Sequence, residues 1–400
     1  MNKLHDVKEF FRLDELVQLT QALIAIPSHK DVPSREKEVA EYIYNFCRQN
    51  GLEAELQKVD GDRCNVLVYL RGEGSGRSLM LNGHTDTVPP YNMTIDPFGA
   101  EIKEGSIYGR GAVDMKGAIA CMLMSMLGLK RSEAKLKGDV IFAGVIGEEE
   151  RSEGTEYIVK SGLKTDGAIV GEPSNYEYAI GHRGLEWLEI VIKGKAAHGG
   201  VPHLGVNAIE KAAVLINRIK EELYPKLEGR YNEYMGPSVM NFGVIAGGSQ
   251  PSTVADSCSI KIDRRYIPGE TVETVLKEYQ DIIDGIKAED PEFDAEIIRM
   301  PNNMLTLDHL PLMTPPEDPI VSAVRESLRE VIGREPDITR RRGWTDAALL
   351  SNFAKIPTVV VGPGDISYSH TKDERVSIED LEKAVDIYTR VIQKFCGVND

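Results

Sequence analysis

Short apolar segments alternate with helical segments along the first 180 residues, and this alternation restricts the possible folds more than any other feature of the chain. Buried strands are predicted for SLMLNGH, GDVIFAGV and GAIVGEP, and a buried helix for MKGAIACMLMSMLGLK. Strands that alternate with helices form largely parallel sheets that are covered on both faces. We therefore predict an α/β fold in which a mixed, mostly parallel sheet is flanked by helices.

The pattern changes near residue 184, where the sequence LEWLEIVIK alternates between apolar and polar residues, as in a half-exposed strand. More strands and two long helices follow, which indicates a small α+β layer with a one-sided sheet. The α/β pattern returns after the proline-rich segment PNNMLTLDHLPLMTPPED. A chain of 400 residues also exceeds one ordinary core. The sequence thus predicts one domain of residues 1–183 and 303–400, into which a smaller domain of residues 184–302 is inserted.

Composition argues against several classes of partner. The formal net charge is −16, whereas a protein that binds nucleic acid or an anionic membrane surface needs a basic face. The 5 cysteines are scattered, and none belongs to a Cys-x-x-Cys pair, which favours a reducing compartment. No apolar signal core and no apolar run of about 18 residues is visible. We expect a cytoplasmic protein that binds neither nucleic acid nor membranes.

Histidine and acidic side chains recur at the ends of the predicted strands. They are His84 and Asp86 in NGHTD, Asp114 in GAVDMKG, Glu148, Glu149 and Glu150 in GEEE, Glu172 in GEP and His370 in SYSHT. Ligands of open α/β sheets bind at such strand ends, and clustered carboxylates repel one another unless a cation holds them. A polar loop explains any one of these residues, but not the whole set. Nitrogen and oxygen donors without thiolates predict a divalent metal, for which zinc is the first choice.

Five motifs in one order resemble the M20 metallopeptidase/deacylase family. They are GHTDTVP, GRGAVDMKGA, GEEE, GEPS and the SH near the C-terminus, and the similarity extends from residue 24 to residue 385. The chain looks most like the acetylornithine deacetylase and succinyl-diaminopimelate desuccinylase branch. This resemblance implies a hydrolase that cleaves the amide bond of an N-acyl amino acid or related N-acyl amine. It also implies two divalent metal ions per subunit, with zinc preferred and cobalt or manganese as alternatives.

Three other interpretations stay open. The same scaffold carries dipeptidases and glutamate-releasing carboxypeptidases, and an enzyme with a single metal ion is a further alternative. A binding protein that had lost catalysis would lack a metal ligand or a base, whereas every such position is filled in this chain.

The resemblance assigns a role to each residue of the metal centre. One metal ion is bound by His84 and Glu172, the other is bound by Glu149 and His370, and both are bridged by Asp114. Asp86 is the partner that orients His84, and Glu148 is the catalytic base. Because three glutamates follow one another, a register shifted by one residue would make Glu149 the base.

The resemblance also assigns residues outside the metal centre. His198 matches a histidine that acts in the neighbouring subunit of a homodimer formed through the inserted domain, and Arg265 matches the arginine that binds a substrate carboxylate, with Arg264 as the competing choice. Gly364 and Thr345 match elements that line the substrate pocket. Ser252 departs from the family, which commonly has asparagine there. The run Arg340-Arg341-Arg342 indicates either a solvated basic turn or an anionic substrate.

Overall fold

The computed structural model describes residues 10–304 and 306–399, and these residues form two compact units. Unit 1 contains the residues up to Ile180, Leu312–Thr339 and the residues from Thr345 onward. Unit 2 contains Gly181–Pro311 and Arg340–Trp344. The chain therefore leaves unit 1 and returns to it, as an inserted domain requires.

The ends of unit 2 differ from the predicted boundaries at 184 and 302. The carbonyl of His309 accepts hydrogen bonds from the Leu185 amide and the Tyr266 hydroxyl, both at 2.9 Å. The Trp344 indole donates to the carbonyl of Leu310 at 3.1 Å. These bonds hold most of the proline-rich segment and the short segment 340–344 within unit 2, whereas the sequence pattern gave no sign of pairing there.

The strands are, in chain order, β1 (Glu53–Asp60), β2 (Arg63–Leu70), β3 (Leu79–His84), β4 (Glu101–Lys103), β5 (Ser106–Tyr108), β6 (Val140–Val145), β7 (Gly167–Val170), β8 (Gly181–His182), β9 (Gly184–Lys193), β10 (Tyr231–Asn232), β11 (Gly236–Pro237), β12 (Val239–Gly247), β13 (Ser257–Tyr266), β14 (Asp294–Arg299), β15 (Leu312–Met313), β16 (Thr358–Val360) and β17 (Arg375–Ser377). The helices are α1 (Leu13–Ala25), α2 (Lys37–Gln49), α3 (Gly117–Arg131), α4 (Glu153–Ser161), α5 (Ala208–Glu222), α6 (Tyr224–Glu228), α7 (Val272–Glu289), α8 (Pro319–Ile332), α9 (Ala347–Asn352) and α10 (Ile378–Cys396).

Unit 1 is built on a six-stranded sheet in the order β1-β2-β6-β3-β7-β16. The pairs β6–β3, β3–β7 and β7–β16 are parallel, and β1–β2 and β2–β6 are antiparallel. The predicted mixed, mostly parallel sheet flanked by helices is confirmed. All residues of β3, β6 and β7 are buried, as expected for strands covered on both faces. A separate small sheet has the order β17-β5-β4.

Helix α3 lies in the core of unit 1. The segment Ala112–Arg131, which includes α3, is long and apolar enough to cross a membrane by length and composition, although the sequence pattern predicted no such run. However, 94% of its apolar window is buried within the structure. The Ser125 hydroxyl donates to the Val385 carbonyl of α10 at 3.1 Å. Packing against protein accounts for the apolar composition of this helix.

Unit 2 contains an antiparallel sheet in the order β12-β13-β9-β14. Alternate residues of β9 and β13 are buried, among them Ile190 and Ile260. Their buried side chains belong to the same apolar core as Leu215 of α5 and Tyr279 of α7. The period of two in the sequence therefore corresponds to one face covered by helices.

We expect the stability of unit 2 to depend on the protonation of His309. Burial, followed by the charges of Arg265 and Arg299, lowers the pKa of His309 from 6.5 to about 4. The unfolded chain therefore binds this proton more readily, and stability present above pH 6.5 is lost as the pH falls toward 4. Between pH 7 and pH 5 this group should remove about 2 kcal/mol from the free energy of unfolding.

Urea unfolding of the full chain at pH 7 and pH 5 measures this effect. His309→Gln should reduce the difference between the two pH values, whereas a change at the exposed His203 should not. An unchanged pH dependence in His309→Gln would contradict the expectation.

Candidate metal centre

Five elements of unit 1 bring the predicted metal ligands together. His84 is the last residue of β3, Glu148 and Glu149 follow β6, and Glu172 follows β7. Asp114 lies in the irregular turn before α3, and His370 lies in the loop before β17. Because β3, β6 and β7 run parallel, their carboxyl ends meet at one edge of the sheet. Gly83 permits close packing there, since a Cβ atom at this position would lie 3.0 Å from Met115 Cε.

The carboxylate of Asp114 lies between two imidazoles. Its Oδ1 is 3.0 Å from Nε2 of His84, and its Oδ2 is 3.3 Å from Nε2 of His370. His84 Nε2 is also 3.5 Å from Oε1 of Glu172, and His370 Nε2 is 3.0 Å from Oε1 of Glu149. Two pairs of side chains, His84 with Glu172 and His370 with Glu149, thus lie on either side of Asp114.

The donor atoms are close enough to hold a metal ion. One candidate group is formed by His84, Glu148 and Glu172, and a second by His84, Asp114 and Glu149, with the ligand atoms of each group within 4.8 Å of one another. Imidazole and carboxylate donors suit zinc and similar divalent ions. The donor set of this chain therefore fits the cation that the sequence predicts.

The charges of the site favour bound cations. Burial opposes ionisation of Asp114, but hydrogen bonds from His370 and His84 outweigh burial and lower its pKa. Hydrogen bonds to Asp114 and Glu149 raise the pKa of His370 to about 10. Burial and the nearby Glu172 raise the pKa of Glu148. The site contains more carboxylates than imidazoles. In the absence of a metal ion, the protonated imidazoles supply part of the positive charge that balances the carboxylates.

Asp86 contacts His84 in a different way from the one predicted. His84 Nδ1 is 3.0 Å from the backbone carbonyl of Asp86 but 3.7 Å from its carboxylate Oδ1. The carboxylate instead accepts hydrogen bonds from the amides of Glu148 and Glu149, at 3.2 and 2.9 Å. The Asp86 carboxylate therefore lies within ion-pair distance of His84 but does not form a hydrogen bond with it, and its predicted role in orienting His84 stays a prediction. Through these two amides, the Asp86 carboxylate holds the backbone turn that carries Glu148 and Glu149.

Sequence analysis missed Glu374, which supports Asp114. Its Oε1 accepts hydrogen bonds from the amides of Val113 and Asp114, both at 3.2 Å, and its Oε2 accepts one from Arg110 at 2.5 Å. Glu374 and Arg110 are both buried. The available signal was the position of Glu374 four residues after His370, on the same loop as a predicted metal ligand.

Thr345 and Gly364 lie in unit 1 and have structural contacts. Thr345 is buried, and its hydroxyl accepts a hydrogen bond from the Ala347 amide at 3.3 Å. Gly364 has a φ of +84°, and a Cβ atom there would lie 2.5 Å from Cγ2 of Val113. Glycine is thus required beside the turn that carries Asp114. The predicted substrate contacts of both residues stay predictions.

The other predicted residues lie in unit 2. His198 is exposed, and its Nδ1 accepts a hydrogen bond from the Gly200 amide at 3.1 Å. Arg264 is buried and pairs with Glu270. Arg265 is partly exposed and donates to both carboxylate oxygens of Asp263, at 2.7 and 3.0 Å. Of the two arginines, Arg265 is therefore the one accessible to a ligand.

A cavity of about 320 Å³ opens beside His370 in unit 1. Its walls include Val88, Tyr91, Arg110 and Lys372. The volume lies near the lower end of the range typical of small-molecule sites. Unit 1 thus provides space for a small molecule next to a predicted metal ligand.

A model of peptidase family M20/M25/M40 matches residues 80–394 of this chain. The chain belongs to this family. It is an M20 hydrolase, and members with peptidase or deacylase activity cleave amide bonds. The geometry around Asp114 lies within the matched residues.

Three curated relatives cover nearly the whole chain. A probable succinyl-diaminopimelate desuccinylase of Staphylococcus epidermidis is 26% identical and is aligned over 95% of this chain and 97% of its own. The Bacillus subtilis N-formyl-4-amino-5-aminomethyl-2-methylpyrimidine deformylase is 30% identical, over 96% and 94% of the two chains. The Proteus mirabilis acetylornithine deacetylase is also 30% identical, over 96% and 98%.

Solved structures share the fold at lower identity. A Staphylococcus aureus tripeptidase has a TM-score of 0.79 at 22% identity and covers 96% of this chain and 98% of its own. A dinuclear metal binding peptidase of the M20 family from Bacillus subtilis has a TM-score of 0.71 at 17% identity, with coverage of 95% and 97%.

We expect Glu374→Ala to weaken metal binding by roughly 10- to 100-fold, because the amides that hold the Asp114 turn lose their acceptor. Titration of the chelator-treated protein with Zn²⁺ by calorimetry measures this effect. Glu374→Gln, which keeps an acceptor oxygen, should bind more tightly than Glu374→Ala.

The exposed Glu379, which pairs with Lys383 on α10, provides a control variant, Glu379→Ala. The double variant Arg110→Met/Glu374→Ala avoids a buried unpaired charge. Wild-type Zn²⁺ affinity in a folded double variant would contradict a positioning role for Glu374.

Proposed function

We propose that this protein is a dinuclear metal-dependent amidohydrolase that removes the acyl group from an N-acyl amino acid or a related N-acyl amine. The observation that carries this proposal is the position of Asp114 between His84 and His370, with Glu148 beside the same cluster. Deacylases among the curated relatives support the reaction class. Zinc is the preferred metal, because the ligands are imidazoles and carboxylates.

The side chains divide the work between metal binding and proton transfer. His84 and Glu172 would hold one ion, Glu149 and His370 would hold the other, and Asp114 would be shared by both. When bound, two divalent ions supply a polarised amide carbonyl and an acidified water. Glu148 would accept a proton from the attacking water and return it to the departing amine. Its raised pKa, which results from burial and Glu172, suits a group that both accepts and donates a proton.

The contacts of the three consecutive glutamates support Glu148 as the base. Glu149 is hydrogen-bonded to His370, and Glu150 pairs with Arg35. Glu148 is left beside His84 and Glu172. These contacts support the proposal that Glu149 is the ligand and Glu148 the base.

Substitution of each glutamate separates their roles. Glu148→Gln should lower kcat by roughly 10²- to 10⁴-fold, because the general base is lost, with two metal ions per chain retained. Glu149→Gln should lower the metal content itself. Glu150→Gln is the matched control and should leave metal content and kcat near wild type. Elemental analysis and steady-state kinetics measure both quantities, and loss of kcat with full metal content in Glu149→Gln would favour the shifted register.

The function is tested by assaying the metal-loaded protein with N-acetylornithine, N-succinyl-diaminopimelate, N-formyl amines and dipeptides. Chelator-sensitive release of an acyl group is expected. Cleavage of dipeptides alone would favour the peptidase alternative, and no hydrolysis of any amide by protein with two metals bound would contradict the proposal.

The protein is also proposed to form a homodimer through unit 2. Strand β12 is an edge of the antiparallel sheet, and no strand of the described residues pairs with its outer side. Val244 and Ile245 are exposed on this strand, and Ile209 and Val214 are exposed on α5. An unpaired edge with apolar side chains is suited to pairing with a second copy.

Ile245→Lys should weaken this dimer, because a charge would be buried in the contact. Sedimentation equilibrium measures the mass. Ile298→Lys on β14, the opposite edge of the same sheet, is the control and should leave the mass unchanged. A monomeric wild type would contradict the proposed dimer.

A cytoplasmic location is part of the same proposal. It is supported by the five cysteines, which are all free and buried.

A further inference from the structure

Tyr91 presents an aromatic ring beside the candidate metal centre of unit 1. It lies in the loop between β3 and β4 and is 63% exposed. Tyr91 lines two cavities, a larger one of about 320 Å³ that reaches His370 and a smaller one of about 160 Å³ that reaches Glu149. His370 and Glu149 are themselves 3.0 Å apart. The ring therefore borders both cavities that adjoin this pair of predicted metal ligands.

Prolines and a backbone hydrogen bond fix the loop that carries Tyr91. Pro89 and Pro90 precede it directly, and proline restricts its own φ as well as the conformation of the residue before it. The amide of Thr94 donates to the carbonyl of Lys372 at 2.9 Å, which ties this loop to the one before β17. A ring on a loop that is already fixed loses little conformational entropy when it contacts a ligand.

The larger cavity has an apolar part. It is formed by Tyr91 together with Val88, Pro89 and Met93. Aromatic rings pack favourably against other rings, and the flexible thioether of methionine adapts to the shape of its neighbours and contacts rings favourably. A cavity of about 150 Å³ with apolar walls admits benzene. The larger cavity thus has room for an aromatic ring with substituents.

The remaining residues that line the larger cavity are polar or cationic. They are Asn92, Arg110, His370, Thr371 and Lys372. Within the described parts of the chain, none of the lining residues carries a carboxylate. The charge of Arg110 is balanced by Glu374, whereas Lys372 is exposed and its ammonium has no hydrogen bond or ion pair with a described residue. This unbalanced charge repels an ammonium group and tolerates an uncharged ring.

The smaller cavity differs in its charges. Its lining includes three carboxylates and two cations, which are Asp86, Glu149, Glu150, Lys30 and Arg35. Each of the three carboxylates already accepts a hydrogen bond within unit 1. A ring placed there would cover five ionisable groups and cost part of their hydration. An uncharged ring therefore fits the larger cavity better.

We propose that Tyr91 is a specificity-determining residue that selects an N-acyl substrate with an uncharged aromatic ring. The ring of the substrate stacks on Tyr91 in the larger cavity, while the amide lies toward the predicted metal ligands. Lys372 disfavours a substrate whose side chain ends in an ammonium group. This inference rests on the proposed function and deepens it, because it names a group that the amide substrate carries.

Three substrates that share the acetyl group and the α-carboxylate separate the two effects. They are N-acetylphenylalanine, N-acetylnorvaline and N-acetylornithine, whose side chains are a benzyl group, a propyl group and a propyl group with a terminal ammonium. In the metal-loaded protein, kcat/KM should be roughly ten-fold higher for N-acetylphenylalanine than for N-acetylnorvaline, because a ring pair adds to the buried apolar area. It should be about five-fold lower for N-acetylornithine than for N-acetylnorvaline, because the ammonium approaches Lys372.

Single substitutions assign each effect to its residue. Tyr91→Ala should remove the preference for the ring, and Tyr91→Phe should keep it. Lys372→Gln should remove the discrimination against N-acetylornithine and leave the preference for the ring unchanged, because the backbone carbonyl that holds the loop is retained. Tyr157 on α4 is another exposed tyrosine of unit 1. Tyr157→Ala is therefore the matched control and should leave all three kcat/KM values near wild type.

Two results would overturn the proposal. One is a preference for the ring that is absent from the wild type or unchanged in Tyr91→Ala. The other is a preference for N-acetylornithine over N-acetylnorvaline that is lost in Tyr91→Ala, because Tyr91 would then bind a cation through the face of its ring.

Binding to the metal-free full chain separates this proposal from the proposed function. In calorimetric titrations, N-acetylphenylalanine should bind the wild type roughly ten-fold more tightly than N-acetylnorvaline does, and Tyr91→Ala should bind the two equally. This result without hydrolysis of any amide by the metal-loaded protein would keep the aromatic site and overturn the hydrolase function. Hydrolysis without any preference for the ring would keep the hydrolase function and overturn the aromatic site.

Discussion

The arrangement of the candidate metal centre depends on one carboxylate, that of Asp114, which is shared by two imidazoles. Each oxygen of Asp114 faces a different histidine, and each histidine lies close to a glutamate. Moving this carboxylate by one ångström would disturb both groups of ligands at once. Burial makes the ionised form of Asp114 costly. The carboxylate therefore stays ionised only because positive partners lie beside it.

Two buried carboxylates hold the backbone turns that carry the predicted ligands. Glu374 accepts hydrogen bonds from two amides of the turn that carries Asp114, and the guanidinium of Arg110 balances the charge of Glu374. Asp86 holds the turn of Glu148 and Glu149 in the same way, because its carboxylate accepts hydrogen bonds from their amides. In both places a buried carboxylate fixes a backbone segment through two N–H groups, and that segment then presents a ligand. Backbone amides provide this orientation because their direction is set by the fold.

The α/β layers, and the meeting of the strand-end residues at one edge of the sheet, could be predicted from the sequence because both depend on local patterns. Buried strands appear as apolar runs, and residues that follow parallel strands must meet at one edge. Contacts between distant segments leave no such pattern. The pairing of His182 with Arg341 joins residues far apart in the chain, and no sequence pattern predicts it. The carboxylate of Asp86 was assigned to the nearest histidine, but amides 62 and 63 residues away bind it.

The arginine run shows how the same residue type acquires different properties within three positions. Arg340 donates hydrogen bonds to the Tyr231 hydroxyl and the Glu233 carbonyl, whereas the exposed Arg342 makes no hydrogen bond or ion pair with the described residues.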